Sequence, residues 1–417
     1  MKIVQCTDSF LPIVDGVGRV VVQYAERLAH PGNEVYVVTP LAHMGYRGGL
    51  PYEMIDFMSV KTPTAPQYRT GVSTLDAHYV ERIADLSPDI IHAHTPGVTG
   101  SEALRLATRT GAPVVGTFHS KYYDDFLRVT GSDVLAELGS MFVAEFYERC
   151  DEVWTVSNDA AETLHGYGYR GDIIVMPNGT EMRTPDPAAE AAARAEFGLT
   201  DDVPVLLYAG QIDFKKNLKM IVDAAGMLAQ RGRKFRLVFA GQGQDRDALE
   251  EQAKELSVPL LFTGHIEDRS LLDGLYMSAE MFLFPSVYDT AGLVVREAAV
   301  MGTPSVVIKD TAPAEVVDDG VNGFCCEDSP ESLAEKVEAY VWGMTEEERN
   351  GFRRRAQEQI PLPWEHVMRD VEARYASLCG KQHEKHRVGE HVRETIGEKL
   401  EKKILGEIAE KSRGKAD

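Results

Sequence analysis

The first 39 residues decide the fold. They open with KIVQC (residues 2–6), pass through a loop that contains Gly16 and Gly18, follow a helical pattern over 20–29 and end in EVYVVT (residues 34–39). The two apolar runs are short and nearly continuous, which is typical of strands that are covered on both faces of a parallel sheet. The stretch therefore predicts a strand, a glycine-containing loop, a helix and a second strand.

The same order repeats along the chain. Ile90–Ala93 and Val114–Thr117 are further apolar runs with helical patterns between them, so the first half is predicted to be a doubly wound α/β unit. Near 185–200 the composition changes to Pro, Ala and Glu, which predicts a linker, and the pattern restarts at Val205–Ala209. Later strands are predicted at Arg236–Ala240, Leu260–Thr263, Met281–Phe284 and Ser305–Ile308, and helices at 218–230, 246–256 and 294–301.

The sequence thus predicts an α/β protein with two Rossmann-like domains in tandem and a cleft between them. We expect an N-terminal domain over 1–184, a linker over 185–200, a second domain over 201–361, a helix over 362–380 and a charged amphipathic tail over 381–417. Ligands of open parallel sheets bind beyond the carboxyl ends of the strands. The loops at those ends are therefore the candidates for function.

Composition and charge exclude several classes of protein. The 417 residues are 44% hydrophobic and 26% charged, as in ordinary globular proteins. A net charge of −21 argues against nucleic acid as a partner, because such proteins present a basic face. The five cysteines lack metal-ligand spacing, so we expect reduced thiols and no metal site. No apolar run approaches the roughly 20 residues that span a bilayer, and Asp8 interrupts any secretory signal, which together predict a cytoplasmic protein.

The C-terminal tail carries an apolar stripe. Val392, Ile396, Leu400, Ile404 and Ile408 recur every four residues, which places them on one face of a helix. We expect this helix to pack on its own domain or on a partner. A helix that lies on a membrane surface is the alternative.

The loop after the first strand predicts an anion site. Gly16 allows close approach of the backbone, and the amino end of the following helix offers N–H groups to an anion such as a diphosphate. A glycine in a strand-to-helix turn is also common for packing reasons alone, so this loop indicates function only together with others.

His119 lies just past the end of the strand Val114–Thr117. A histidine at the end of a strand in an open sheet points toward the ligand-binding edge, where it can hydrogen-bond a substrate hydroxyl or stabilise developing charge. His92 and His94 also end a strand, and we interpret these two as structural.

Lys216 follows the first strand of the second unit, in GQIDFKKN (residues 210–217). From that position a lysine can reach a phosphate, whereas elsewhere it would be a solvated surface charge. The nearby stretch AGQGQDR (residues 240–246) begins like the glycine fingerprint of dinucleotide-binding enzymes but has Arg246 in place of the third glycine. A dehydrogenase is therefore not indicated.

The stretch PSVYDTAGLVVRE (residues 285–297) is the most informative. Asp289 precedes a glycine turn that opens a helix, and the N–H groups around Gly292, Leu293 and Val294 form an anion-binding helix start. Glu297 lies about two helical turns further on, where ribose hydroxyls can reach it. The flanking residues are apolar, which is hard to reconcile with solvated surface carboxylates.

Taken together, these motifs resemble the retaining nucleotide-sugar glycosyltransferases of family four, which have the GT-B fold of two facing Rossmann-like domains. In that family the last helix crosses back to the N-terminal domain, which implies this role for Trp364–Leu378. The resemblance runs from about Lys2 to Leu378 and includes Asn178–Glu181, Gly264–Ile266 and Trp364-Glu365.

The chain departs from the family pattern at two positions. The family signature Glu-x7-Glu is present as Asp289-x7-Glu297, and the shorter first carboxylate bears on sugar preference. The usual arginine before the phosphate-binding lysine is Gln211, so Lys216 would hold the diphosphate without that partner. The remaining stabilisation falls to helix-start N–H groups, Arg296 or Arg19.

The resemblance implies a role for each matching residue. His119, Asp289 and Lys216 form the catalytic set, and Gln211 and Val294 belong to the donor-binding set. No metal or cofactor is needed when a lysine and helix dipoles hold the diphosphate. The donor contacts implied are Gly16 and Lys216 at the diphosphate, His119 at the sugar 6-hydroxyl, Ile266 at the base, Asp289, Gly292 and Leu293 at the sugar, and Glu297 at the ribose.

The acceptor is less defined. Asp15–Val17, Phe118–Tyr122 and Tyr288–Val294 are similar to bacterial glucosyltransferases that act on diacylglycerol, which implies glucose from UDP-glucose as donor and association with the inner membrane face. Tyr122, Tyr123, Phe126 and Leu127 are candidates to seat an apolar acceptor, although the acidic first domain argues against a membrane. Polysaccharide or small-molecule acceptors, GDP-mannose as donor, a silent nucleotide-sugar binder and an epimerase are the alternatives.

Overall fold

A computed structural model describes residues 1–11, 15–40, 49–62 and 65–383 of the chain. It divides into two compact units. Unit 1 comprises Met1–Pro177 together with the chain from Val367 onward, and unit 2 comprises Asn178–His366. The predicted tail helix over 381–417 lies outside the described residues from position 384 onward.

Unit 1 is a doubly wound α/β domain around a seven-stranded parallel sheet in the order β3-β2-β1-β6-β7-β8-β9. A separate antiparallel pair, β4 with β5, was not predicted from the sequence. The strands are Lys2–Cys6 (β1), Glu34–Pro40 (β2), Glu53–Phe57 (β3), Ser59–Thr62 (β4), Ala65–Gly71 (β5), Ile90–Ala93 (β6), Val114–Phe118 (β7), Glu152–Thr155 (β8) and Ile173–Val175 (β9). The helices are Gly16–Leu28 (α1), Ala77–Ala84 (α2), Val98–Thr110 (α3), Tyr123–Thr130 (α4), Asp133–Tyr147 (α5) and Asn158–Gly166 (α6).

Unit 2 repeats this architecture with a six-stranded parallel sheet in the order β12-β11-β10-β13-β14-β15. Its strands are Val205–Ala209 (β10), Arg236–Ala240 (β11), Leu260–Gly264 (β12), Met281–Phe284 (β13), Ser305–Ile308 (β14) and Phe324–Cys326 (β15). Its helices are Pro187–Phe197 (α7), Leu218–Gln230 (α8), Arg246–Glu255 (α9), Arg269–Ser278 (α10), Leu293–Val300 (α11), Pro330–Val341 (α12) and Glu346–Gln359 (α13). The expectation of two parallel-sheet α/β domains is confirmed.

The strand order places three of the four predicted loops, those after β1, β10 and β13, at the switch points of the two sheets. In unit 1, β1 lies between β2 and β6, and in unit 2, β10 lies between β11 and β13. Connections on opposite sides of such a central strand run in opposite directions, which leaves a crevice at its carboxyl end. The central strands of both sheets are almost wholly buried, as expected for sheets covered on both faces.

The segment expected to be a linker is a helix. Residues 185–200 contain α7, which belongs to unit 2 and packs on α10, and the units divide between Pro177 and Asn178 instead. Asp186 caps the helix by accepting from the amide of Ala188, and Pro187 stands at its first position. Alanine and glutamate are strong helix formers, so the composition that suggested a linker favours a helix once it is capped.

The last helix is Trp364–Leu378 (α14), which lies within the range 362–380 expected from the sequence. From Val367 onward its residues belong to unit 1, although it follows the last helix of unit 2 in the chain. The ring of Trp364 fills the space beside Gly179, where an added Cβ would overlap it. Among the residues that the structure describes, no helix is both long and apolar enough to cross a membrane.

Candidate functional site

The loops that follow β10 and β13 bring together two of the predicted site residues. These strands are neighbours at the switch point of unit 2. Lys216 Nζ lies 2.7 Å from Asp289 Oδ1, and the two side chains are 16% and 25% exposed. The ring of Tyr288 lies beneath both neighbouring lysines, 4.7 Å from Lys215 Nζ and 5.3 Å from Lys216 Nζ. Residues 73 positions apart thus form one charged pair at the carboxyl-end edge of the sheet, where ligands of open parallel sheets bind.

One of the two carboxylate oxygens of Asp289 lacks a hydrogen-bond donor among the described residues. Its Oδ1 accepts from Lys216, whereas Oδ2 is buried and has no hydrogen-bond partner among the described residues. A buried carboxylate oxygen without a donor costs free energy on the order of 1–3 kcal/mol or more. A hydroxyl-rich ligand at this edge of the sheet would supply the missing donor.

The lysine loop is held in place by local capping. Asp213 accepts from the amide of Lys215 at 3.0 Å, and the Asp245 carboxylate accepts from the amide of Phe214 at 2.8 Å. Asn217 adopts a left-handed conformation with φ of 58°, which lets the chain turn into α8. The position of Lys216 is therefore fixed by its own loop and by the segment after β11.

That segment contains the glycines that resemble a dinucleotide fingerprint. A Cβ at Gly241 would overlap the carbonyl oxygen of Gly210, and a Cβ at Gly243 would overlap that of Ile212. Gly241 also has a φ of 150°, which side chains disfavour. The backbones are joined by the bonds from Gly210 N to Ala240 O and from Ile212 N to Gln242 O, both 2.9 Å. These glycines allow two loops to pack together, which explains the fingerprint without a dinucleotide.

Gly292 sets the start of α11. It caps the helix in a left-handed conformation with φ of 55°, and an added Cβ would stand 3.0 Å from Pro313. Leu293 and Val294 form the first turn and are half-buried. The first amides of an α-helix have no partner within the helix, and the helix dipole adds partial positive charge there. The turn is suited to an anionic or hydroxyl-rich ligand.

Glu297 belongs to an ion network that sequence reasoning missed. Arg269 Nη1 lies 3.4 Å from Glu297, and the Tyr276 hydroxyl donates to Glu297 at 3.5 Å. Arg269 also pairs with Asp273 at 3.2 Å, and Arg183 binds the same carboxylate through two bonds of 2.7 and 3.1 Å. The spacing of Arg269 and Asp273 on one helix was a readable signal, but nothing in the sequence linked either residue to Glu297.

The charge of Arg269 is stabilised by its acidic neighbours. Burial opposes its charge, but Glu297 and Asp273 more than offset this and raise the pKa of its guanidinium. Glu297 is therefore oriented by a permanent cation. Its 20% exposure leaves room for a ligand hydroxyl.

The two arginines considered as extra phosphate ligands differ in setting. Arg296 is largely buried, which lowers the pKa of its guanidinium to about 10, and it donates to the carbonyl of Ile360 at 2.6 Å. That bond ties it to the loop after α13. Arg19 is exposed on α1.

Two residues of unit 2 that were predicted to contact the donor, Gln211 and Ile266, lie in loops that follow strands. The side chain of Gln211 is exposed, and its backbone carbonyl accepts from the Tyr208 hydroxyl at 2.8 Å. Ile266 is half-buried against the core of unit 2 and follows Gly264, which has a φ of 75°. Both positions agree with contacts made through the backbone or with an exposed ligand.

The predicted anion site of unit 1 is partly occupied by the protein itself. Gly16 opens α1, and the Asp15 side chain caps that helix by accepting from the amide of Gly18 at 2.7 Å. The Gly18 amide is therefore engaged by Asp15, and the anion site at this helix start stays a prediction for the remaining amides. Gly16 is exposed, does not have a positive φ, and an added Cβ there would meet open space. Packing against the described residues of unit 1 therefore gives no reason for a glycine at this position.

His119 joins a cluster of buried histidines. Its Nε2 lies 2.9 Å from His94 Nδ1, and the rings of His92 and His94 stack at 3.9 Å. All three are nearly or fully buried, and burial lowers each pKa, that of His119 to about 3. The three rings are therefore neutral at physiological pH. His119 is suited to hydrogen bonding with a hydroxyl and not to stabilising negative charge as an imidazolium.

The aromatic residues proposed for an acceptor lie in α4 and at its N-cap, Tyr122. The rings of Tyr122 and Phe126 stack at 6.2 Å, and the amides of Tyr122 and Tyr123 both donate to the Tyr167 hydroxyl, at 2.8 and 2.9 Å. Next to them is a cavity of about 360 Å³ whose exposed lining is mainly apolar. It is lined by Tyr123, Glu137, Ser140, Met141, Thr163, Gly166 and Tyr167.

The cysteines and the metal-ligating side chains of the described residues bear on the expectation of reduced thiols and no metal site. The five cysteines, each within the described ranges, are unpaired, and burial raises the pKa of the Cys6 and Cys150 thiols. Among the same residues, no group of three His, Cys, Asp or Glu side chains is arranged to hold a metal ion.

Two family models match the chain, one in each unit. Glycosyltransferase Family 4 matches residues 14–183, and Glycosyl transferases group 1 matches residues 190–359. The two matches together span most of the chain.

Curated relatives include enzymes that act on lipids. A GDP-mannose-dependent alpha-(1-6)-phosphatidylinositol dimannoside mannosyltransferase from Mycobacterium tuberculosis is 33% identical over 184 residues, which is 44% of this chain. The chain spans only about half of that relative, 48% of its length. An alpha-monoglucosyldiacylglycerol synthase from Streptococcus pneumoniae is 25% identical over 73% of this chain and 70% of its own.

Solved structures share the fold. Sucrose-phosphate synthase from Thermosynechococcus elongatus matches with a TM-score of 0.76 and 20% identity, over 90% of this chain and 98% of its own. At that identity the likeness concerns the arrangement of the chain and not its substrate.

Proposed function

Because this chain belongs to glycosyltransferase family four, with Rossmann-like domains of the GT-B type, we propose that it transfers a hexose from a nucleotide-diphosphate sugar to an acceptor hydroxyl. We further propose that the reaction retains the anomeric configuration and needs no metal ion. The observation that carries the proposal is the pair of Lys216 and Asp289 at the carboxyl ends of β10 and β13, with one buried Asp289 oxygen lacking a donor.

In this proposal, different parts of unit 2 bind the diphosphate, the sugar and the nucleoside of the donor. Lys216 and the first amides of α11 hold the diphosphate, since both supply positive charge. Asp289 Oδ2 accepts from a sugar hydroxyl, which satisfies the buried oxygen. Glu297, oriented by Arg269, accepts from the ribose hydroxyls, and Ile266 meets the base through its backbone.

The chemistry then depends on the leaving group. Departure of the nucleoside diphosphate develops negative charge on its outer phosphate, and preorganised donors at that point lower the barrier most effectively. Lys216 stands at that point in the proposal. The departing phosphate oxygen, on the same face of the sugar as the incoming hydroxyl, takes up the acceptor proton. His119 binds the sugar as a neutral hydrogen-bonding group.

We propose glucose as the sugar and a lipid hydroxyl, such as that of diacylglycerol, as the acceptor. This is supported by the name of the Streptococcus pneumoniae relative, which covers most of the chain. The apolar cavity beside Tyr123 and Tyr167 offers a place for an acyl chain in unit 1. In this view the protein associates peripherally with the membrane that contains its acceptor.

GDP-mannose is the second candidate donor. The relative that uses it by name has the higher identity, 33%, but it aligns with less than half of this chain. The shorter carboxylate of Asp289, compared with the usual glutamate, leaves more room for an axial hydroxyl. Donor choice is therefore the first quantity to measure.

The test begins with thermal shifts in a panel of UDP-, GDP- and ADP-sugars, followed by hydrolysis of the best binder. Lys216→Ala is expected to lower kcat/KM by about a hundredfold, since a lost charge-assisted contact costs about 3 kcal/mol. The matched control is Lys219→Ala, which removes an exposed lysine three positions away that lies over the Phe214 ring. Equal activity in both variants would contradict the proposed site.

The acceptor and the stereochemistry are tested on the same protein. Diacylglycerol vesicles and soluble sugars are offered with the preferred donor, and the anomeric configuration of the product is read by NMR, with and without EDTA. Transfer to diacylglycerol with retention and no effect of EDTA is expected. Transfer only to soluble sugars would exclude the proposed lipid acceptor. Conversion of the donor sugar to another sugar without transfer would indicate an epimerase. Donor binding without turnover would indicate a catalytically silent binding protein.

A further inference from the structure

Six buried polar side chains form a continuous chain of hydrogen bonds in unit 1, which we call the His relay. It begins at His119, the predicted sugar contact, and ends at Thr117 in β7 of the seven-stranded sheet. Every link is between 2.5 and 3.2 Å long. Its members in order are His119, His94, Gln5, Tyr375, His92 and Thr117.

The direction of the relay follows from the amide of Gln5. Its Nε2 donates to the Tyr375 hydroxyl at 3.2 Å, so its Oε1 faces His94 Nε2 at 2.6 Å. A carbonyl oxygen can only accept, which makes His94 Nε2 the donor. His94 is buried and neutral, so its Nδ1 has no proton and must accept. The partner of that Nδ1 is His119 Nε2, which therefore donates.

The other arm of the relay runs in the same sense. Tyr375 accepts from Gln5, so its own proton is available to His92 Nδ1 at 2.5 Å. His92 then keeps its proton on Nε2 and donates to Thr117 Oγ1 at 2.6 Å. Reversing any single link would set two donors or two acceptors against each other in a buried place, which is costly. Only a concerted reversal of all the links, with the Gln5 amide turned over, gives a second consistent state.

We propose that the His relay positions His119: Tyr375 of the last helix, acting through the links between them, holds His119 as the Nε2–H tautomer and so sets the hydrogen-bonding state of the ring that is proposed to meet the donor sugar. The inference rests on the proposed function, in which His119 meets that sugar. It adds a positioning role for three residues of the relay, Gln5, His94 and Tyr375, none of which needs to touch the substrate.

The position of Tyr375 gives the relay a further role. Tyr375 lies near the end of α14, the helix that follows unit 2 in the chain and is counted with unit 1 from Val367 onward. Its ring stacks on Trp154 at 5.8 Å and meets the His92 ring edge-on at 5.8 Å. The docking of the last helix and the tautomer of a sugar-binding histidine are thus parts of one buried network.

The tautomers can be read directly in the ligand-free protein. In protein labelled with 15N-histidine, long-range 1H–15N correlation spectra distinguish a protonated from an unprotonated ring nitrogen, and His119→Asn identifies the His119 signals. We expect His119, His94 and His92 each to carry the proton on Nε2. A proton on Nδ1 of His119 would overturn the proposal, and this measurement requires no active enzyme.

Tyr375→Phe tests the dependence on the last helix. Removing the hydroxyl frees the Gln5 amide to turn over, so His119 is expected to lose its single tautomer and show averaged ring shifts. Gln5→Met, which keeps the shape of the side chain but removes both links, is expected to do the same. The matched control is Tyr147→Phe, which deletes a buried hydroxyl outside the relay that donates to the carbonyl of Thr117 at 3.1 Å. A His119 spectrum that is unchanged in Tyr375→Phe and Gln5→Met would overturn the proposal.

The kinetic measurement separates this inference from the proposed function. With the preferred donor, Tyr375→Phe is expected to lower kcat/KM about tenfold, the effect of one hydrogen bond, while Tyr147→Phe changes it by less than about twofold. Equal kinetics in the two variants would overturn the positioning role. If the native protein turns over no nucleotide sugar, the proposed function fails, and the NMR result still decides whether the relay fixes His119.

Discussion

Three buried neutral histidines make unit 1 sensitive to acid. Burial lowers the pKa of His92, His94 and His119 in the folded protein, that of His119 to about 3, against an ordinary value of 6.5. As pH falls through 6.5, these three histidines bind protons in the unfolded chain but stay unprotonated in the folded chain. Their contribution to the free energy of unfolding is therefore full above about pH 6.5 and is lost progressively below it.

The size of the effect follows from the difference in proton binding. A histidine with an ordinary pKa when unfolded and a much lower one when folded loses about 2 kcal/mol between pH 7.5 and pH 5. The three together give about 6 kcal/mol, which is comparable with the whole stability of a domain. Two groups act in the opposite sense: the buried Asp8, whose pKa is raised by burial, and His30, whose pKa is raised by its bond to Glu372.

A variant isolates the histidine contribution from these opposing groups. His94→Asn removes one of the three titrating rings and is expected to reduce the loss between pH 7.5 and pH 5 by about 2 kcal/mol, even though the variant is less stable at pH 7.5. The control His78→Asn removes an exposed histidine of the same unit and is expected to leave the loss unchanged.

Hydrogen exchange measures each unit separately, which a two-unit protein requires. Opening free energies of amides in β6 and β7 report on unit 1, and those in β10 and β11 serve as the internal reference. Two results would refute the reasoning. In one, the opening free energy of the β6 and β7 amides falls by the same amount between pH 7.5 and pH 5 in the native protein and in His94→Asn. In the other, the opening free energy falls as much in the strands of unit 2 as in those of unit 1.

Three substitutions test single features of the site. At Gly16 no described residue would meet an added Cβ and φ is not positive, so Gly16→Ala is expected to leave stability unchanged or slightly raised in chemical denaturation. A rise in donor KM would then identify a ligand that approaches this backbone. Gly292→Ala forces a side chain into a left-handed conformation against Pro313, and it should lower the stability of unit 2 by about 1–2 kcal/mol and slow donor hydrolysis as well. Gln211→Arg restores the usual arginine at an exposed position. Calorimetry with the nucleoside diphosphate should then show about tenfold tighter binding that weakens as the salt concentration rises. Unchanged affinity would mean that position 211 does not face the phosphates.

Much of the fold is readable from the sequence because its strands are continuous apolar runs. Lys2–Cys6, Ile90–Ala93 and Val205–Ala209 have the predicted bounds, since residues buried on both faces leave no polar alternation to blur the ends. The error at 185–200 arose because alanine and glutamate occur both in linkers and in helices, and only the cap at Asp186 distinguishes the two. Ile173–Val175 was missed because an edge strand of three residues carries almost no pattern.

The site is readable only as far as strand ends can be located. Lys216 and Asp289 were both predicted at the ligand-binding edge, because each follows an apolar strand, but their contact depends on which strands are neighbours in the sheet. The bond between Arg269 and Glu297 depends on how two helices pack, and the bond between Gln5 and Tyr375 joins residues 370 positions apart. Such pairings have no local signal in one sequence.

The charge balance of unit 2 shows what the missing arginine changes. Without ligand, Lys216 and Asp289 neutralise each other at 2.7 Å, so the loops after β10 and β13 carry no net charge from this pair. A doubly charged diphosphate that binds Lys216 must share it with Asp289, and the partial charge at the start of α11 supplies only about half a unit. The usual arginine would correct this deficit, whereas Gln211 does not. Donor binding in this chain should therefore depend more on the contacts of the Asp289 and Glu297 carboxylates with the uncharged sugar and ribose hydroxyls than on the phosphates. A nucleoside diphosphate without its sugar is accordingly expected to bind more weakly than the intact donor, and the opposite order would place the missing positive charge elsewhere in the protein.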